Sequence, residues 1–288
     1  MIRSTILISY HYFQKSDLDK WLSQYTVKPL VFADSGAYSA MTQGAPIQIN
    51  EYAAWIKRWS HWFEVYANLD VIMNGEATWR NQQYLEDRHG LQPLPVFHVN
   101  EEWSWLERYV DRYPYMALGV AGMQQNKGVW PWLIRAFKIA GKQTVFHGFA
   151  LTTWQVMRAF PWYSVDSSSW GRGFRFGSMP IFDHHKGRFV TVKTDNVASC
   201  KRHQKVFQQL GFNWIHFADP AVEKRSLICK ISGVSYKYAE DWIKTNQGPV
   251  SCPGRVDGIH MFLADTNKSN FQALGKGLGE RFGQENSA

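Results

Sequence analysis

LPVFHV (94–99), EEWSWLERYVDR (101–112), YMALGV (115–120), WPWLIRAFKIA (130–140) and TVFHGF (144–149) follow one another across short gaps. Three brief apolar runs alternate with two longer amphipathic segments. A run of this length without polar alternation suits a strand covered on both faces, as in a parallel sheet flanked by helices. The same step recurs in both directions. Residues 6–12, 30–33, 65–72 and 163–165 read as further strands. Residues 51–63 read as a helix carrying Trp55, Trp59 and Trp62, and 75–88 and 152–159 as two more. Seven strand–helix steps at a spacing near ~25 residues predict an α/β protein, with a TIM-type (β/α)8 barrel as the favoured closure and a doubly wound sheet as the alternative.

Beyond Ser167 the period loosens. Residues 171–190 read as a basic, Gly- and Arg-rich loop, 195–210 as a helix, 212–217 as the eighth strand and 236–245 as a helix. The tail from about Gly275 reads as frayed. Residues 1–288 are expected to form one catalytic barrel domain with this irregular C-terminal segment.

Composition narrows the class. Hydrophobic residues make up 45% and charged residues 19%, enough apolar surface for a packed core, which excludes global disorder. Lys plus Arg is 32 against 24 Asp plus Glu, a net charge of +8 that suits a polyanionic partner without naming one. Three cysteines (Cys200, Cys229 and Cys252) make no disulfide framework and point to a reducing compartment. No apolar run approaches the ~20 residues of a membrane span, and the first residues lack a signal-peptide pattern. The expectation is a cytoplasmic protein with no membrane partner; the oligomeric state is left open.

In a parallel barrel, chemistry sits at the C-terminal ends of the strands. The second run ends in Asp34-Ser35-Gly36, the third contains Asp70, and the fourth ends in His98. The fifth ends in Gly119-Val120-Ala121-Gly122, the sixth in His147-Gly148-Phe149, and the seventh in Asp166 followed by three serines. Each has an ordinary structural reading as well: a turn, an N-cap, a close packing contact or a core histidine. Their conjunction at one level is more telling. Two carboxylates on one cavity can divide the labour of glycosidic chemistry, one attacking the anomeric carbon and the other handling the proton of the leaving base. A third can accept from a purine N–H edge, and glycine peptides can donate to its carbonyl.

These residues resemble the tRNA-guanine transglycosylase superfamily, nearest to the phage-type members that insert 7-deazaguanines into DNA (the DpdA group). The resemblance runs from Val31 to about Gly177. DSGAYSA (34–40) is similar to the family's Asp-Ser-Gly-Gly-Phe motif, with Ala37 for its second glycine and Tyr38 for its phenylalanine. ANLDVI (67–72) places Asp70 at the base-binding aspartate, and LGVAG (118–122) and HGFALT (147–152) resemble its two glycine-rich strands. YSVDSSSW (163–170) puts Asp166 at the nucleophile.

The resemblance implies guanine exchange for a 7-deazaguanine base, such as 7-cyano-7-deazaguanine, through a covalent Asp166–glycosyl intermediate. Asp34 would serve as proton carrier. Asp70, Ser35, Gly36, Gly119, His147, Gly148 and Phe149 would form the base site, and Tyr38 would stack on the purine. DNA is the implied polymer, with tRNA as the alternative, and the compartment is the host cytoplasm if the chain is phage-encoded. Arg172, Arg175, Lys186 and Arg188 would contact phosphates. The chemistry calls for no cofactor. The family's cysteine-rich zinc site has no counterpart here. Cys200 and His203, three apart, would need Cys229 or Cys252 to hold a structural zinc, at spacing unlike the usual sites. Two other readings remain open: a nucleic-acid N-glycosidase on the same barrel, and a non-catalytic nucleic-acid-binding subunit.

Overall fold

A computed structural model describes residues 3–120, 128–151 and 153–282 of the chain. Eight parallel strands form one curled sheet: β1 (Thr5–Ser9), β2 (Leu30–Asp34), β3 (Phe63–Tyr66), β4 (Val96–His98), β5 (Tyr115–Gly119), β6 (Val145–Phe149), β7 (Ser164–Ser167) and, after an antiparallel hairpin of β8 (Ser178–Asp183) and β9 (Arg188–Lys193), β10 (His260–Ala264). The spatial order is β3-β2-β1-β10-β7-β6-β5-β4. Between β3 and β4, the two ends of this open order, Ala67 and Leu94 form one isolated parallel bridge outside both strands, where Asn68 N donates to Leu94 O (2.9 Å) and Leu94 N to Tyr66 O (2.7 Å).

Successive side chains of a strand face opposite sides, so each strand feeds two cores. Leu7, Phe32, Val65, Val96, Tyr115, Ala117 and Phe262 point inward and pack together inside the curl. Their sequence neighbours Ile6, Ile8, Val31, Ala33, Phe97, Met116, Leu118, Met261 and Leu263 point outward into the helical layer. Both faces of the strands are therefore dry, which explains their unbroken apolar character. The helices answer with one-sided patterns. In Ile49–Trp59 the buried residues Tyr52, Trp55, Ile56 and Trp59 form one stripe. Asn74 caps Gly75–His89 by accepting from Ala77 N, and Gly90 ends that helix at φ 62°. Trp62, expected on the Ile49–Trp59 stripe, lies past its end, where its indole donates to Asp19.

The C-terminal third departs most from the expectation. Residues 212–217 are not the eighth strand: Trp214–Phe217 is a single 3-10 turn, and the strand that completes the parallel sheet is β10. A strand so short offers little pattern, and some ninety residues separate it from β7. The expected loop over 171–190 holds the helix Arg172–Phe176 and the hairpin, whose inward residues Met179, Ile181, Phe182 and Val192 are buried. The expected helix 195–210 breaks at His203 into Val197–Arg202 and Gln204–Gln209. The helix expected over 236–245 is the end of Lys224–Gln247, and residues from Gly275 continue a helix that runs to Phe282.

The insertion between β7 and β10 also holds most of the charge. Residues 168–259 carry fourteen Lys and Arg against seven Asp and Glu, an excess of seven out of the chain's eight. The helix Lys224–Gln247 runs antiparallel to the strands: Glu240 accepts from Met261 N near the start of β10, and Gly233 lies against Leu263 near its end. Among the described residues no helix is long and apolar enough to cross a membrane.

The assignment of the last strand is testable. Phe262 is 3% exposed and edges onto Phe32, with centroids 5.4 Å apart, whereas Ile215 is 52% exposed. Phe262→Ala should lower unfolding stability by about 3–5 kcal/mol in urea titration. Ile215→Ala should stay within about 0.5 kcal/mol of wild type; the reverse ranking would put the strand at 212–217.

Candidate active site

The two-residue period that builds the inner core also selects what stands at its top. Continuing inward from Leu7, Phe32, Val96, Ala117, His147 and Phe262, the next positions are Ser9, Asp34, His98, Gly119, Phe149 and Ala264. Asp166, two beyond Ser164 on β7, joins them. Except for β3, which ends at Tyr66, each strand of the sheet contributes. Together with Ala37, Tyr38, Asp70, Ile72, Val120 and Ala150 these residues line a cavity of about 440 Å³, inside the ~300–1,000 Å³ range of small-molecule sites.

Asp34 ends β2, and its Oδ2 accepts from Ser9 Oγ (2.9 Å) and Gly36 N (3.0 Å). Gly36 sits at φ 77°, and a side chain there would meet His11, so the turn after Asp34 requires glycine. Burial, the charges of Asp70 and Asp166, and two opposing hydrogen bonds leave the Asp34 carboxyl raised to about 7. Near neutral pH it can therefore hold a proton. Tyr38 lies one turn further on and is 52% exposed at the cavity mouth.

Asp70 follows β3. Ser35 Oγ donates to its Oδ1 (3.1 Å), and His98 Nε2 lies 2.8 Å from its Oδ2. Burial disfavours the charged His98 ring, but the bond to Asp70 and the charges of Asp70, Glu101 and Asp34 outweigh it and raise the imidazole. A Cβ at Gly119 would strike the His98 ring, so glycine there makes room for the histidine. Glu101 Oε2 accepts from His98 N, and burial lifts that carboxyl to about 7.

Asp166 lies on β7 and is 7% exposed. Its Oδ1 accepts from Ala150 N (2.7 Å), and Ala150 holds φ 53°, an unusual value for a residue with a Cβ. His147 Nε2 lies 3.5 Å from the same oxygen. Burial pushes the His147 imidazole down, against the pull of Asp166. It is enclosed by Phe32, Phe149 and Phe262 at centroid distances of 4.4, 4.6 and 6.2 Å.

The structure thus brings Asp34, Asp70, Asp166, Tyr38, Gly119 and Phe149 together. Ser35 and Gly36 support them from behind, as the partners of Asp70 and Asp34. His147 stands beneath the floor, not at the rim. Gly148 faces outward, where a Cβ would meet Leu151 and Trp162, because it is out of phase with His147 and Phe149. Ala121, Gly122 and Thr152 lie outside the described residues. None of the four cationic candidates lines the cavity. Arg175 is paired with Asp265 (2.7 Å) and Lys186 with Asp183 (3.3 Å). The hairpin turn between Lys186 and Arg188 rests on Trp154 and Trp242 in the outer layer. Arg172 is exposed just after β7.

The three cysteines are buried and apart: Cys200 against Lys193 O, Cys229 against Asn270, and Cys252 in the inner core. Among the described residues no group of three or more His, Cys, Asp or Glu is placed to hold a metal ion. Sequence reasoning missed Ser9 and the part played by the Ala150 amide. Ser9 had a signal, as the polar residue two after Leu7, whereas Ala150 acts through its backbone and carries none.

Asp34 couples folding to pH. Its folded value of about 7 exceeds the ordinary 3.8, so the native chain binds the proton more tightly than the unfolded one. Its contribution to stability is present below pH ~4, falls as pH rises toward ~7, and is level beyond. Asp34→Asn should therefore gain stability relative to wild type across that window. Thermal melts at pH 5, 6, 7 and 8 that stay a constant distance apart would remove the shifted carboxyl.

No protein-family model and no curated protein matches this chain, so the chemistry of the site rests on its geometry.

Proposed function

We propose that the chain is a closed (β/α)8-barrel enzyme that exchanges guanine in DNA for a 7-deazaguanine base. The observation that carries this reading is the convergence of Asp34, Asp70 and Asp166 on one cavity with unlike partners. Asp34, raised to about 7, is suited to donate and recover a proton. Asp166 has one oxygen held by a peptide N–H, while its Oδ2 has no partner among the described residues. Asp70, gripped by Ser35 and His98, presents a fixed carboxylate edge to a purine's N1–H and amino group.

The steps balance without a further reagent. Asp166 Oδ2 attacks C1′, the C1′–N9 bond breaks, and its electron pair leaves with guanine, which takes the Asp34 proton. The incoming base returns a proton to Asp34 as its nitrogen displaces Asp166. Two displacements give net retention. Tyr38 is placed to stack on a base at the mouth. A polynucleotide partner is supported by the excess of seven positive charges over residues 168–259. Arg172 and Arg188 form no salt bridge among the described residues and are its first phosphate contacts.

Mixed with a guanine-containing oligonucleotide and a base analogue, wild type should give a band shift that survives denaturation. Asp166→Asn should fold and bind but give none; a surviving shift in that variant would falsify the nucleophile. Incorporation of labelled guanine into DNA supports the polymer, labelling of tRNA alone moves the reading to tRNA, and base release without incorporation makes the enzyme an N-glycosidase.

The role of Arg172 and Arg188 is read from salt. Alanine at both should weaken DNA binding for all sequences and flatten the log K against log salt slope by about one per lost contact. An unchanged slope would place the polymer elsewhere.

A further inference from the structure

Beneath the cavity a line of buried polar groups crosses the inner core. Tyr115 OH lies 2.7 Å from Ser164 Oγ, Ser164 Oγ lies 2.7 Å from His147 Nδ1, and His147 Nε2 faces Asp166 Oδ1 at 3.5 Å. Ser164 and His147 are fully buried and Tyr115 is 5% exposed. His147 Nε2 has no hydrogen-bond partner within normal reach, so a fully buried ring nitrogen is aimed at the carboxylate. Packing alone does not call for this. Each group lies among apolar neighbours, where leaving a polar atom unpaired is costly.

We propose that Tyr115, Ser164 and His147 form a one-way hydrogen-bond chain that positions Asp166 for attack. The direction follows from the acceptors. Asp166 Oδ1 already accepts from Ala150 N, so an attractive contact with His147 requires the proton on Nε2. A neutral ring protonated there leaves Nδ1 bare, and Nδ1 must accept from Ser164. With its proton used, Ser164 Oγ accepts from Tyr115, whose hydroxyl burial keeps protonated. Each O–H or N–H thus points toward the cavity.

Two donors then converge on Oδ1, which pins the carboxylate and leaves Oδ2 turned to the substrate. When Oδ2 bonds to C1′, Oδ1 becomes the ester carbonyl. The same donors hold it, and they stabilise the carboxylate again when the second base displaces it. A distance of 3.5 Å before substrate binds is ordinary for a contact that tightens in the reacting complex. Tyr115, Ser164 and His147 are positioning residues, acting through Asp166.

The proposal rests on Asp166 as nucleophile, and its test separates the two. Nitrogen-15 NMR of histidine-labelled protein, assigned by loss of the signal in His147→Phe, reads the tautomer without substrate. Wild type should show a neutral His147 with its proton on Nε2, and Ser164→Ala should shift population toward Nδ1–H. A wild-type ring that is charged or protonated on Nδ1 overturns the chain. Kinetically, Ser164→Ala and Tyr115→Phe should each slow adduct formation roughly tenfold with KM unchanged, and the double variant should be no slower than Ser164→Ala. Additive losses, or an effect on KM alone, would mean independent packing roles and also overturn it. Tyr115→Phe keeps the ring and serves if Ser164→Ala does not fold. If Asp166→Asn still forms adduct while the tautomer is as expected, the nucleophile assignment fails and the buried chain stands without its catalytic role.

Discussion

The site depends on one constraint, the strict alternation of side chains along parallel strands in register. Ser9 pairs with Asp34 between β1 and β2, His98 with Gly119 between β4 and β5, and Phe262 with Asp166 between β10 and β7. Slipping any strand by one residue would turn its polar terminus into the helical layer and bring an aliphatic residue inward. The apolar residues below hold that phase. Phe32, Phe262 and His147 pack against one another in the interior. The cavity is thus an extension of the core, and its carboxylates are held by the same contacts that stabilise the sheet.

Crowding carboxylates into one cavity has an electrostatic cost, and the three are given different neighbours. Asp70 has the imidazole of His98 beside it, which burial lowers but the bond to Asp70 and the nearby carboxylates raise on balance. Asp166 receives the neutral Ala150 amide, with the His147 ring 3.5 Å from the same oxygen. Asp34 has a serine hydroxyl and a glycine amide, and burial drives its carboxyl up to about 7.

Much of this was legible in the chain. Seven of the parallel strands are apolar runs too short for helices, and Asp34 and Asp166, which follow the second and seventh of these runs, could be placed at the inner rim from strand position alone. What sequence could not give falls into two kinds. One is a matter of phase: His147, Gly148 and Phe149 are adjacent, yet only the register of β6 says that the middle one faces away. The other is long-range placement. The strand His260–Ala264 has no stronger pattern than residues 212–217, and its place between β1 and β7 comes from a slot that other elements leave open. The hydrogen bond from Ala150 N, at a left-handed backbone position, has no side-chain signal at all.

The lodging of β10 between β1 and β7 has a consequence for how the molecule is made. Ile6 pairs with Leu263, and Thr5 Oγ1 donates to Met261 O, so the first strand meets its second neighbour only after some 256 residues have followed it. During synthesis the N-terminal seven strands emerge with β1 and β7 both presenting bare edges. The strongly basic insertion is made next, before the strand that joins them. Such non-local pairing is slow and leaves sheet edges open to other chains. Expression yield and aggregation should therefore respond most sharply to changes in the last thirty residues, far along the chain from the aspartates whose geometry they complete.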